Sequence, residues 1–278
     1  QRFDLWIDAE FLTRFSALLT GVSGARTRVG FHAPEVDRGR LHDVQVPFNN
    51  YRHMIDNFCT LVTGALEAPQ GDRPLQRIVP NAEAIARIGD KLAARGLRVG
   101  EPYVILNPNA GELALERRWS VERFAALADA LAPEFGGKLV LVGARSERPY
   151  VARMVEAIHA SERVIDLSGE TSLDELVALF ADARLLVSND TGPLHLACAV
   201  GTPTVAIFGP ETPTLFGPRG PRHRVVTKGL ACSPCLNIYN GRTVHCRFAI
   251  TRCVTEISVE EVLAVAREQL ARPALVEG

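Results

Sequence analysis

The stretch Leu185–Pro218, LLVSNDTGPLHLACAVGTPTVAIFGPETPTLFGP, decides the fold class because it lays a buried strand, a tight turn and a helix start end to end. Leu185, Leu186 and Val187 form the short apolar run of a parallel strand, and Ser188, Asn189, Asp190, Thr191 and Gly192 follow as turn chemistry. The chain enters a helix at Pro193, where the amide that proline lacks would be unpaired anyway. The N–H groups of Thr191, Gly192 and Leu194 are then expected to point outward at the positive end of the helix dipole, which makes a seat for an anion such as a diphosphate. A second strand, Thr204 to Phe208, ends in Gly209-Pro210, so the unit reads strand, phosphate loop, helix, strand. That is the pattern of doubly wound sheets, whose ligands collect at the strand ends. Asp190 and Thr191 also suit plain helix capping, and His195 suits a hydrogen-bonded core position. Their grouping within six residues at one strand end, with His195 a single turn from Thr191, favours a site.

Outward from this unit, strands are predicted near 5–8, 28–31, 103–107, 139–143 and 164–167, and helices over 11–19, 54–66, 82–95, 121–131, 149–160, 173–183 and 259–270. Strands and helices mostly alternate, which predicts an α/β protein. The segment 67–80 is rich in Pro, Gly and charge without periodicity and suits a linker, placing a boundary near Ala68. Residues 69–278 then hold five parallel-type strands with their helices, a doubly wound nucleotide-binding domain, whereas residues 1–68 offer two strands. Asp4, Asp8 and Glu10 read as solvated or capping acids. A balance of 31 Lys+Arg against 32 Asp+Glu gives no electrostatic argument for nucleic acid, and no apolar run approaches the roughly 20 residues that cross a bilayer, so a cytoplasmic protein is expected.

The run Asp190–His195, DTGPLH, followed by GTPTVAIFGPETPTLFGP, resembles glycosyltransferase family nine, whose best-known members are the lipopolysaccharide heptosyltransferases. The residues Phe3–Asp8 and Arg28–Phe31 resemble the middle of that family's amino-terminal domain, so the resemblance covers nearly the whole chain. It implies a GT-B type fold of two doubly wound, Rossmann-like domains, with the amino-terminal one incomplete: residues 1–68 would be the remainder of the acceptor-side domain and 69–278 the donor domain. In the family, sequence like FDLWIDAEFL follows βα units that carry a glycine-rich loop and the proposed catalytic Asp. The implied activity is inverting transfer of a heptose or related sugar from an ADP-activated donor to a lipopolysaccharide core or other glycan. The implied location is the cytoplasm, with peripheral contact at the inner face of the inner membrane.

Several residues take roles on this resemblance. The loop 107–120 faces the same crevice and contains Asn109; Arg117, two positions before Trp119, stands where the family's phosphate-contacting basic residue lies, often a Lys. Arginine grips phosphate oxygens as a planar fork where lysine supplies a point charge. Glu147 after the strand ending at Gly143, and Thr171 in the turn 169–173, line the implied nucleotide pocket, although Glu147 equally suits a first-turn acid. Asp190 would position the sugar or the loop. Thr191, Gly192 and Arg117 would hold the departing diphosphate, and such electrostatic stabilisation needs no metal or other cofactor; no Asp-x-Asp metal motif occurs.

Cys232, Cys235, Cys246 and Cys253 gather in a loop over 230–254 at a spacing that suits a structural zinc or iron, with His245 as an alternative ligand; free thiols and disulfides are the rivals. Autotransporter heptosyltransferases of the same family carry a four-cysteine iron site. Two further readings stand beside the transferase. A nucleotide-sugar epimerase would need an acid and arginine set that is not found. A non-catalytic nucleotide-sugar binding or assembly protein would use the cysteine loop for contacts.

Overall fold

A computed structural model describes residues 3–11, 13–32, 37–66, 76–98, 100–111, 114–236 and 246–272. The expected boundary at Ala68 and the alternative ligand His245 lie outside the described residues. In chain order the elements are β1 (Leu5–Asp8), α1 (Arg14–Val22), β2 (Thr27–His32), β3 (Val44–Pro47), α2 (Met54–Leu66), α3 (Ala82–Ala93), β4 (Tyr103–Asn107), α4 (Val121–Phe135), β5 (Lys138–Leu141), α5 (Arg148–Ala157), β6 (Val164–Asp166), α6 (Leu173–Asp182), β7 (Leu185–Asn189), α7 (Gly192–Val200), β8 (Thr204–Ile207), α8 (Pro213–Phe216), β9 (His223–Val226), α9 (Arg252–Thr255) and α10 (Val259–Ala271). They form two units, one built mainly on residues 1–74 and the other mainly on 75–213, 217–235 and 245–278.

The first unit is a three-stranded parallel sheet in the order β1-β2-β3, one strand more than expected, because β3 pairs with β2 from Val29↔Val44 to His32↔Pro47. Its core is aromatic: Phe11 stacks on Phe48 at 4.8 Å and meets Phe31 edge-on at 6.2 Å. Phe11 therefore belongs to the core before the helix, and α1 starts later than its apolar pattern suggests, with Thr13 as its N-cap. Asp8 is buried, contrary to the solvated or capping role expected of it. Its Oδ2 accepts from Arg38 Nη2 at 2.6 Å and lies 3.0 Å from His42 Nε2, while Arg38 also donates to the carbonyls of Glu10 and Thr13. A carboxylate taken out of water needs such partners. Gly30 is required beneath this cluster, since a Cβ there would fall 2.3 Å from the His42 ring.

The second unit is a six-stranded parallel sheet in the order β6-β5-β4-β7-β8-β9, again one strand more than expected. Numbered from β4, this is the 3-2-1-4-5-6 order of dinucleotide-binding folds. Alternation along the strands builds both layers. Tyr103 and Ile105 of β4 face a cluster with α3, α6 and α7, while Val104 and Leu106 face a cluster with α4, α5 and α10. Each fully buried Leu, Ile or Val in these layers contributes about 1.5–3 kcal/mol. The helices start on defined caps: Asn81, Ser120, Ser172 and Ser258 each accept the amide of the residue three positions on. The strand order reverses between β4 and β7, so the loops following these two strands share one crevice. Among the described residues no helix is long and apolar enough to cross a membrane.

Candidate functional site

The crevice at the ends of β4 and β7 brings together Asn109, Arg117, Asp190, Thr191, Gly192 and His195. The strand β7 ends at Asn189 and α7 begins at Gly192, with Thr191 as an extended N-cap whose hydroxyl makes no cap hydrogen bond. That hydroxyl instead accepts from Asn107 Nδ2 at 3.0 Å, which ties the β7–α7 turn to the end of β4. The Thr191 and Gly192 amides lie at a helix start, where N–H groups have no intrahelical acceptor, and proline at the first turn adds none. Leu194 departs from expectation: its amide donates to the Thr191 carbonyl at 3.1 Å, so it does not point outward with the amides of Thr191 and Gly192.

Arg117 spans the crevice. Its Nη1 donates to the Asp190 carbonyl at 2.9 Å and reaches Asp190 Oδ2 at 3.4 Å, and its Nη2 donates to the Ala110 carbonyl at 2.9 Å. The neighbouring Arg118 turns away and covers the Tyr150 ring at 4.2 Å, so Arg117 is the guanidinium at the β7–α7 turn. Asp190 is buried, and that burial raises the pKa of its carboxyl, with Arg117 and then His195 acting in the opposite sense. His195 Nε2 lies 3.8 Å from Asp190 Oδ1, an electrostatic contact beyond hydrogen-bond reach. Loss of solvent along the ring lowers the His195 pKa, Asp190 opposes this, and Arg117 reinforces it. The side chain stays 46% exposed, so it is open to a ligand.

Glu147 and Thr171 sit at the same edge of the sheet, after β5 and β6. The loops carrying them are joined by the Gly169 amide, which donates to the Gly143 carbonyl at 2.7 Å. Glu147 Oε2 accepts the Ala144 amide at 2.8 Å, the first-turn role open to it from sequence. Asn109 is buried and donates to Asn107 Oδ1 and the Val142 carbonyl, both at 3.0 Å, while its own Oδ1 has no partner. A Cβ on Gly143 would fall 2.7 Å from Asn109 Nδ2, so the glycine makes room for this amide.

Three buried residues that the sequence reads only as loop or turn, Asn107, Ser188 and Asn189, hold the site. Asn107 donates to Ser188 Oγ and Thr191 Oγ1, and Asn189 links β7 to the opposite loop. Their signal was present as polar residues closing otherwise apolar strands. The described start of the cysteine loop meets the connection after β8, with the Cys235 amide donating to the Pro210 carbonyl at 2.9 Å. Burial pushes the Cys253 thiol up to about 11, and Cys235, Cys232 and Cys246 push in the same direction. Among the described residues no group of three or more His, Cys, Asp or Glu side chains is arranged to hold a metal ion, so the four thiols as placed do not form the site their spacing suggests.

The model of glycosyltransferase family 9 (heptosyltransferase) matches residues 1–242. The chain belongs to glycosyltransferase family 9. Among the relatives of this family 9 chain, lipooligosaccharide heptosyltransferase 2 of Haemophilus ducreyi is 30% identical over 187 residues, covering 64% of the chain and 53% of the relative. The chain thus spans a little over half the length of that curated relative. A glycosyltransferase family 9 structure from Veillonella parvula superposes with a TM-score of 0.76 at 22% identity, over 96% of this chain and 73% of that one. The structure of the Escherichia coli ADP-heptose lps heptosyltransferase II gives 0.72 at 23% identity, over 96% and 75%. The fold is therefore α/β of the GT-B type.

Proposed function

We propose that this family 9 chain serves inverting transfer of a heptose, or a related sugar, from an ADP-activated donor to a lipopolysaccharide core or another glycan. The observation that carries the reading is the pairing of the α7 start with Arg117 at the point where the strand order reverses. As the bond between the sugar and the diphosphate breaks, negative charge accumulates on the departing phosphate. The Thr191 and Gly192 amides, the α7 dipole and the Arg117 guanidinium are fixed donors for that charge, and they require no reorganisation as it develops. Asp190 holds Arg117 and, with His195, borders the place where the sugar would lie; Asn109, Glu147 and Thr171 would meet the nucleoside. Heptose and ADP enter this proposal through the names of the relatives.

Calorimetric titration with ADP, ADP-heptose, UDP and GDP tests this reading. Selective binding of the adenine ligands, weakened roughly ten- to a hundredfold by Arg117→Ala, is the expected result. Absence of nucleotide binding, or binding indifferent to Arg117, would overturn it.

A structural zinc or iron at Cys232, Cys235, Cys246 and Cys253 is a separate part of the proposal. It is supported by the sequence spacing of the four cysteines. Elemental analysis of the purified chain and its Cys235→Ser variant decides it, since one metal per chain must be lost with the cysteine. The proposed place of work is the cytoplasmic face of the inner membrane, where a lipid-linked acceptor would be met.

A further inference from the structure

Asn189 closes β7 with no exposed surface, so it cannot touch a ligand, yet both of its amide donors and its carbonyl oxygen are engaged across the crevice. Its Nδ2 donates to the carbonyls of Pro108 at 2.9 Å and Asn109 at 3.2 Å, and its Oδ1 accepts the Trp119 amide at 3.1 Å. These partners bracket Arg117: Pro108 and Asn109 lie where the loop leaves β4, and Trp119 lies just before α4. Trp119 is itself fixed, fully buried and donating through Nε1 to the Ile257 carbonyl at 2.9 Å. Packing alone would be met at this position by an apolar side chain, since a buried amide is tolerated only when paired. An amide is what the loop demands, two donors on one side and an acceptor on the other.

We infer that Asn189 is a positioning residue for the diphosphate contact. By pinning both ends of the β4–α4 loop to β7, it delivers the Arg117 guanidinium to the Asp190 carbonyl, beside the start of α7. Asn107 does the same for the opposite wall through Thr191, so the two ends of the phosphate grip hang on buried amides and not on the ligand-facing residues themselves. This inference rests on the diphosphate reading of the site.

The test is a double-mutant cycle read by ADP titration of the 278-residue chain carrying Arg117→Ala, Asn189→Asp or both, with a thermal melt of each. Asn189→Asp keeps the shape and the acceptor for Trp119 but turns a carboxylate oxygen toward two carbonyls. It should weaken ADP by roughly the ten- to hundredfold expected of Arg117→Ala, and the double variant should bind within about twofold of Arg117→Ala alone. The deficit of Asn189→Asp should also shrink at acidic pH as its carboxyl gains a proton to donate, a recovery that general loss of packing would not give. Asn189→Ser takes its place in the same cycle if the aspartate variant does not fold. Losses that multiply independently, with ADP still bound by the unsubstituted chain and weakened by Arg117→Ala, overturn the positioning role alone. Absence of ADP binding by the unsubstituted chain overturns the diphosphate reading and this inference together.

Discussion

At the scale of single residues the proposed site divides into groups assigned to the ligand and groups that hold them. Gly192 belongs to the first kind, and its conformation makes it testable. Its backbone is not among the left-handed glycines, and a Cβ built on it meets nothing within 4 Å. The fold therefore does not need a glycine there, and alanine is the better helix former by up to about 1 kcal/mol. What the bare Cα offers is close approach of an anion to the first amides of α7. Gly192→Ala should leave the melting temperature unchanged or slightly raised while weakening ADP by roughly tenfold or more, an estimate that assumes loss of one charged hydrogen bond. Unchanged ADP affinity in titration would take the start of α7 out of the site. The placement of these residues was legible in the sequence, because Asp190, Thr191 and Gly192 follow one another between the end of β7 and the start of α7. The holding residues were not: Asn189 reads as turn chemistry, and its partners lie 70 to 81 residues away.

The elements show the same division between what local pattern carries and what tertiary contact adds. The interior strands β4, β5, β7 and β8 are covered on both faces and read as apolar runs. The two strands that escaped sequence reading, β3 with VQVP and β9 with HRVV, are edge strands, partly exposed and interrupted by polar residues. Their periodicity is therefore too weak to separate from loop. The β9 strand carries a pH-sensitive group. Its His223 lies 3.0 Å from Thr204 Oγ1 and 3.8 Å from Cys198 Sγ, and burial, reinforced by Arg222 and Arg224, lowers its pKa from 6.5 to about 4. Between these values the unfolded chain takes up a proton that the folded chain refuses. The contribution is thus complete above about pH 6.5 and lost progressively as pH falls toward 4. Allowing for solvent at the ring edge, it amounts to about 1–2 kcal/mol. Urea unfolding at pH 7 and pH 4.5 should show His223→Gln losing less stability over this interval than the unsubstituted chain, and equal losses would remove His223 from the acid sensitivity.

At the scale of the molecule the two units have cores of different extent. The first unit gathers Phe11, Val29, Phe31, Val46, Phe48, Met54, Leu61 and Leu215 into one cluster, while the second buries a separate cluster on each face of its sheet. On α1, Phe15, Leu18, Leu19 and Val22 recur at helical spacing and are 42–80% exposed, so that helix contributes few buried side chains beyond Ala17 and Thr20. Stability follows apolar area removed from water, which makes the first unit the weaker one. Every residue assigned to the nucleotide, from Asn109 to His195, belongs to the second unit. Calorimetric melting of the whole chain should accordingly resolve two transitions, and ADP should act on the upper one alone. At a free concentration one hundred times its dissociation constant, ADP stabilises the state that binds it by about 2.7 kcal/mol. For a unit of this size the upper melting temperature then rises by several degrees, at about 2–4 °C per kcal/mol, while the lower transition stays in place. A single transition moved by ADP would mean that the two units unfold together, and movement of the lower one alone would mean that the second unit, not the first, is the less stable.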